Sequence, residues 1–434
     1  MHRHPVSKNF FACENALFAI YSLQFAKFFV SLQRKIHIIF IMFESFYRMH
    51  QYLVERTQSP IRRALMDEID WHKRLIGIKG SRGVGRTTFL LQYAKENFGP
   101  RDRRCLYINM NNFYFQGKTL FQFAQEFMAA GGKVLLIDQV FKYPDWSHDL
   151  RLIYDRCPHL KVVFAGSSVM RLKEENPELN GICASYNLRG FSFREYLNLR
   201  AGTNLRPYTI REIQNRHEHI AEEVLPQVNP LDYFNDYLHH GYYPFFLEKA
   251  SFIENLLKAI NMMIEVDILL IKQIDLKYLT KIKKLLYLLA TGDYGAPNVS
   301  QLAQDLQTSR ATVVNYIKYL SDARLLNMLY RPGEDFPKKP ASILLHNTNL
   351  IYAMMPDFND EQMVMETFFQ NALWGRHQVQ KGDRSCTFIV DKTMRFRICL
   401  EQPKRKNTDV LYALAGVKEG LEQEIPLWMY GFLY

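Results

Sequence analysis

Closely spaced cysteines are missing from this chain. The six present (Cys13, Cys105, Cys157, Cys183, Cys386 and Cys399) are scattered, with no C-x-x-C pair and no histidine at a zinc-ligand spacing. That pattern argues against a disulfide framework or a structural zinc site and reads as reduced thiols in the cytoplasm. Long hydrophobic runs are missing too. The apolar, aromatic stretch 10–43 is interrupted by Glu14, Lys27, Arg34 and Lys35 before any run reaches the roughly 18 residues that span a bilayer. It also lacks the compact core and small-residue cleavage site of a signal peptide, so no membrane association is expected. Acidic charge is the third scarcity. Against 55 Lys and Arg stand 44 Asp and Glu, giving +11 and a pI near 9.2, which allows an acidic partner such as nucleic acid without requiring one. Residues 1–41 hold five basic residues and one acidic, +4 of that total, and the remainder carries +7. An amphipathic pattern begins only near Met42 or Met49, either of which is a candidate start.

The chain's chemistry centres on Ile76-Gly77-Ile78-Lys79-Gly80-Ser81-Arg82-Gly83-Val84-Gly85-Arg86-Thr87-Thr88. An apolar run breaks into glycines and then into a helical pattern, with Gly80, Gly85 and Thr87 at the spacing of the phosphate-binding loop G-x-x-x-x-G-K-[ST]. Glycines let successive N–H groups and a helix N-terminus surround an anion. Gly80, Gly83, Val84, Gly85, Arg86, Thr87 and Thr88 are therefore the expected ATP-binding residues, with Thr87 as a Mg²⁺ ligand. One residue the motif requires is absent: position 86 holds arginine, a planar fork, where a lysine would reach the β- and γ-phosphates as a compact charge. A glycine-rich turn that binds nothing is the alternative.

Strands at 105–110, 133–138 and 160–168 alternate with helical patterns at 88–97 and 119–130. The expectation is a three-layer α/β nucleotide-binding domain with a parallel sheet. Asp138 ends an apolar strand where a P-loop protein holds its Mg²⁺ shell, making Thr87 and Asp138 the expected metal pair. The next residue is Gln139, where many such ATPases have a glutamate; an amide orients water but cannot accept its proton. Ser167 ends the following strand, where it can touch a γ-phosphate or the attacking water. Asp138, Gln139 and Ser167 are thus the candidate catalytic residues.

Several of these stretches together resemble a prokaryotic family described as AAA-type ATP-binding proteins: the glycine loop, Leu135-Leu136-Ile137-Asp138 with Lys142-Tyr143-Pro144-Asp145-Trp146, Phe164 to Ser168, Phe191 to Leu197, Tyr237 to Pro244, and the closing Ile425 to Tyr434. The resemblance covers nearly everything after Met49. It implies an ATPase domain, a winged helix and a C-terminal restriction-endonuclease-like domain. Three departures stand out. Besides Arg86 and Gln139, the stretch Glu178 to Cys183 lacks the paired arginines expected at this place in the family. Arg171 and Arg189 lie nearby as substitutes. Together these losses point to ATP binding with weak or absent hydrolysis.

The expected organisation is an N-terminal extension at 1–48, the P-loop domain at 49–205, a helical lid and connector at 206–290, a winged helix at 291–335 and a degenerate α+β nuclease-like domain at 336–434. In the winged helix, Ser309 caps a helix that turns Val313, Val314, Ile317 and Leu320 inward. Arg310, Thr312 and Asn315 are left for bases and Lys318 for phosphate, if the module meets DNA rather than packing between domains. Lys404-Arg405-Lys406 is another phosphate-contact candidate. In the last domain, Arg395-Phe396-Arg397-Ile398-Cys399-Leu400 offers arginine where a metal-binding carboxylate is needed. With Glu366, Asp391 and Glu401 not forming a site, no nuclease activity is expected. The competing functions are a non-hydrolysing, nucleotide-responsive scaffold and a winged-helix DNA-binding regulator. A protein partner or self-association stays open.

Overall fold

The computed structural model describes residues 43–434 apart from 171, 173–175, 248–250 and 293–296. Readings that fall on residues 1–42, or on Arg171, lie outside the described residues.

Helix α1 (43–56) packs first. Phe43 and Phe46 are buried, with ring centroids 5.1 Å from that of Phe123, so the packed domain begins at least six residues before the expected boundary at 49. His50 fixes the register of this helix: its Nδ1 accepts the Tyr107 N–H at 3.0 Å, and burial holds the imidazole down at about 4, a neutral acceptor. After the short α2 (Leu65–Glu68) come β1 (Leu75–Gly80), α3 (Arg86–Asn97), β2 (Cys105–Asn109), α4 (Leu120–Ala129), β3 (Val134–Asp138), α5 (Trp146–Arg156), β4 (Lys161–Ser167) and β5 (Ala184–Asn187). The five strands are parallel in the order β2-β3-β4-β1-β5. Helices cover both faces, which is why β1, β3 and β4 read as near-continuous apolar runs. β5 does not read so: its four residues are intermediate or exposed. The register pairs Gly80 with Ser167 and Asn109 with Asp138, so the chemistry-bearing strand ends sit together at one edge.

Helices α6 (Phe193–Arg200) and α7 (Ile210–Val224) each start with a capping box, Ser192 with Glu195 and Thr209 with Glu212. Next are α8 (Leu231–Asp236), α9 (Phe252–Met262), a π turn at Met263–Ile268 that runs into α10 (Leu269–Ile271), and α11 (Leu279–Thr291). Helices α12 (Val299–Asp305) and α13 (Arg310–Asp322) lead to β6 (Leu326–Leu329), which pairs antiparallel with β7 (Ser342–Leu345). That pairing carries the hairpin past residue 335. Helices α14 (Thr348–Met354) and α15 (Glu361–Leu373) pack beside a second sheet of β8 (Val379–Lys381), β9 (Phe388–Val390), β10 (Met394–Cys399), β11 (Leu411–Leu414) and β12 (Glu424–Pro426). Its β10, β11 and β12 are parallel, and β8 and β9 run antiparallel to their neighbours.

The end of the described chain folds back onto the first domain. Ser192 Oγ and Arg194 Nε donate to the Tyr434 backbone oxygen at 2.7 and 2.9 Å. One hydrophobic core consequently runs from Ile76 of β1 to Leu433.

Candidate functional site

The glycine loop leaves β1 and enters α3 with its backbone in left-handed conformations, φ +83° at Gly83 and +92° at Gly85. Side chains resist such angles. At Gly83 there is no room either, because a Cβ would lie 2.6 Å from the Phe245 ring. Gly85 is the N-cap of α3 and carries no side-chain cap, leaving the first-turn N–H groups, with the positive end of the helix dipole, open to an anion. Thr88 is exposed on that turn.

Thr87 Oγ1 donates to Asp138 Oδ2 at 2.6 Å, joining the start of α3 to the end of β3. Tyr107 on β2 donates to the same oxygen at 2.9 Å; burial, then the Asp138 charge, raises its hydroxyl well above the usual range and keeps it a donor. Gln139 is held in the left-handed region at φ +53°, a strained backbone of the kind that gathers at functional sites. Its N–H donates to Asp138 Oδ1 at 2.8 Å and its amide oxygen accepts from Asn111 Nδ2 at 3.0 Å. Arg86 turns its guanidinium to the Gly166 carbonyl on β4. Burial lowers its pKa, and the Asp267 and Asp138 carboxylates oppose that shift.

A cleft of ≈ 960 Å³ opens over this loop, within the range of ligand pockets. Residues 82–88 with Asp138 and Gln139 line it, together with the apolar Pro60, Ile61, Phe191, Pro244 and Phe245. The structure thus brings Gly83, Val84, Gly85, Arg86, Thr87, Thr88, Asp138 and Gln139 to one cleft. Gly80 sits just behind, at the end of β1. Ser167 is fully buried and donates to Asp267 Oδ2 at 2.8 Å rather than facing the opening.

Two residues that support the loop escape the sequence patterns. Arg63, 7% exposed, donates to the Val84, Arg189 and Gly190 carbonyls at 3.1, 2.7 and 2.8 Å and pairs with Glu195 at 3.2 Å. Burial pushes the Glu195 carboxyl up, but Arg63 and the Ala64 and Ser192 amides outweigh it and hold the carboxyl below its usual range. Asp267 binds Arg82 from the π turn. Its only sequence signal is a carboxylate in the apolar run Met262 to Leu270.

Other candidates are committed elsewhere. Arg189 is buried, donates to the Asn371 and Ala372 carbonyls, and lies 3.7 Å from the Tyr434 ring centroid, away from the cleft. Lys318 pairs with Asp322 at 2.7 Å. Arg310 and Asn315 are exposed beside a groove of ≈ 400 Å³ that also meets Lys339. Lys406 pairs with Glu424. Arg395 pairs with Asp383 at 2.9 Å, Asp391 with His377 at 2.7 Å, and Glu366 accepts from Gln362. Among the described residues no three His, Cys, Asp or Glu form a metal cage, and no helix is long and apolar enough to cross a membrane.

Strand order, glycine loop and the Thr87–Asp138 contact match a P-loop α/β domain. Residues 72–197 match the family described as an AAA domain, and residues 231–341 match a domain of unknown function. The uncharacterized protein MJ1637 of Methanocaldococcus jannaschii is 27% identical over 277 residues, which span 60% of this chain and 58% of the relative. Similar solved structures include AMPPCP-bound DnaA from Aquifex aeolicus, at 14% identity over 63% of this chain and 86% of that one, and C. elegans PCH-2, at 17% over 36% and 44%. The TM-score is 0.23 for each.

Proposed function

We propose that this protein binds ATP with Mg²⁺ in the cleft over residues 80–88 and hydrolyses it slowly or not at all. The observation that carries the reading is the Thr87–Asp138 contact at the head of an uncapped, glycine-led helix. A hydroxyl and a single carboxylate suit a small hard cation that takes its remaining ligands from phosphates and water. Loop amides and the start of α3 would hold the phosphates, while Pro60, Ile61, Phe191 and Phe245 offer an apolar wall to a base. The magnesium ion would neutralise charge on the transferring phosphoryl group.

Slow turnover follows from what surrounds this pair. Gln139 orients water through an amide already engaged by Asn111, and no carboxylate at that position takes the proton. Arg86 donates to a carbonyl of β4, and Arg189, a substitute for the missing arginine pair, is used to join the domains. Purified protein should bind ATP more tightly with Mg²⁺ and release phosphate slowly, with Arg86→Lys and Gln139→Glu together raising turnover. Ordinary ATPase rates in the wild type would refute the slow-turnover reading.

A second reading, a DNA-binding regulator, is favoured by one observation. Helices α11, α12 and α13 with the β6–β7 hairpin follow the element order of a winged helix, and exposed Arg310, Asn315 and Lys339 ring the groove beside α13. Nuclease activity is not proposed, since arginine stands where a metal-binding carboxylate is needed, Arg395 pairs with Asp383, Asp391 with His377, and Glu366 accepts from Gln362. We place the protein in the reducing cytoplasm, consistent with its five free described cysteines.

A further inference from the structure

Asp267 is 1% exposed, inside the π turn. Its Oδ1 accepts from Arg82 Nε and Nη2 at 2.9 and 2.7 Å, and its Oδ2 from Ser167 Oγ at 2.8 Å. A buried carboxylate requires donors of this kind; Arg82 comes from the lining of the proposed nucleotide cleft, and Ser167 is fully buried at the end of β4, outside that lining. Arg82 is part of the glycine loop and lines the cleft. Ser167 ends β4, the strand between the one that feeds the loop and the one that ends in Asp138. At this edge a P-loop domain places the γ-phosphate and the attacking water. Arg86 is drawn to the same corner through Gly166. The helical segment after α9 therefore delivers an anion to a cation of the cleft, Arg82, and anchors that anion on the buried Ser167 hydroxyl. π turns of one extra residue re-aim side chains in this way and recur at functional sites.

We propose that Asp267 is a specificity-determining residue next to the cleft: an internal carboxylate, anchored on Ser167, that takes Arg82 in place of a γ-phosphate and so narrows the advantage of nucleoside triphosphates over diphosphates. The inference rests on nucleotide binding at the glycine loop. A diphosphate uses the loop amides and Thr87, none of which Asp267 touches. A triphosphate must either break the Arg82–Asp267 pair or set its γ-oxygens against a carboxylate. When the triphosphate prevails, Asp267 loses Arg82 and residues 263–271 lose their hold on the loop. Phosphate count is thereby coupled to the position of that segment. Asp267 is poorly placed as a general base, since donors already engage both of its oxygens.

The test is calorimetric titration of the full chain with Mg²⁺ and either ADP or adenylyl imidodiphosphate, in the wild type, Asp267→Asn and Ser167→Ala. Removing one charge next to the γ-position should move the diphosphate-to-triphosphate preference towards the triphosphate by on the order of tenfold in Asp267→Asn. Ser167→Ala, which leaves Asp267 charged and takes away one of its donors, should not move the preference towards the triphosphate, and ADP affinity in Asp267→Asn should stay within about twofold. If both nucleotides bind and the ratio does not move in Asp267→Asn, the inference about Asp267 fails while nucleotide binding stands. If neither nucleotide binds the wild type, the nucleotide reading itself fails and this inference with it. A readout that does not depend on the variants folding is hydrogen exchange of residues 263–271 in the wild type. The triphosphate should accelerate it and ADP should not; equal exchange with both would overturn the proposal.

Discussion

Replacing Arg63 with methionine should destabilise the protein in a way that depends on pH with a definite sign. Arg63 and Glu195 are 9% and 1% exposed as side chains and meet at 3.2 Å. Removing one partner of a buried pair costs about 3–5 kcal/mol, because the other is left charged without compensation. In the wild type the folded-state pKa of Glu195 is depressed. Its contribution is therefore fully present above the unfolded value and is lost as pH falls through the folded one. Without Arg63, the largest lowering influence is gone, and the upward push of burial is opposed only by the Ala64 and Ser192 amides and the Arg194 charge. The cost of Arg63→Met should then be largest near neutral pH and shrink as pH falls towards the unfolded carboxylate range. Adding Glu195→Gln should recover about half of the loss or more, since glutamine can still accept the Ser192 N–H in the capping box. Urea unfolding from pH 4.5 to 7.5, for the wild type, the single variant and the double variant, measures this. A cost independent of pH, or no recovery in the double variant, would refute the electrostatic account of how the loop is supported.

Further expectations concern other parts of the molecule. Gly83→Ala meets both a left-handed backbone and the Phe245 ring at 2.6 Å, so it should cost about 2–4 kcal/mol; Phe245→Leu added to it should return only the steric share in a double-mutant unfolding cycle. Phe46→Ala should cost about 3–5 kcal/mol in urea unfolding, and a change below 0.5 kcal/mol would mean that α1 is not part of the domain. With its folded value held at about 4, His50 should contribute stability above its unfolded pKa near 6.5 that is lost as pH falls from there towards 4, about 3 kcal/mol in all; His50→Gln should flatten that part of the stability profile. Arg310→Ala with Lys339→Ala should weaken binding to duplex DNA and reduce its salt slope by roughly 2; an unchanged slope excludes this face.

The nucleotide half of the fold was legible because each of its main signals is local. β1, β3 and β4 are short apolar runs bounded by turn residues, and the glycine loop sits between a strand and a helix as its chemistry requires. Val313, Val314, Ile317 and Leu320 turn inward as the periodicity of α13 implies. What escaped depends on partners far apart in sequence. Arg63 and Glu195 are 132 residues apart, and Ser167 and Asp267 are 100 apart; each residue alone resembles an ordinary surface charge or strand end. β5 is too short and too exposed to show strand alternation. Phe43 and Phe46 belong to an aromatic-rich stretch whose register becomes readable only against Phe123. The glycine loop was therefore visible, but the Asp267 carboxylate and the buried arginine beneath it were not.

The account's central claim, a cleft that holds ATP without spending it quickly, is tested most directly by recovering the nucleotide after binding. Stoichiometric ATP with Mg²⁺ is mixed with the full chain, free nucleotide is removed after several minutes, and the bound nucleotide is identified. The account predicts retained ATP, with retention lost on Asp138→Ala. Recovery of ADP alone, or of no nucleotide at all, would contradict it.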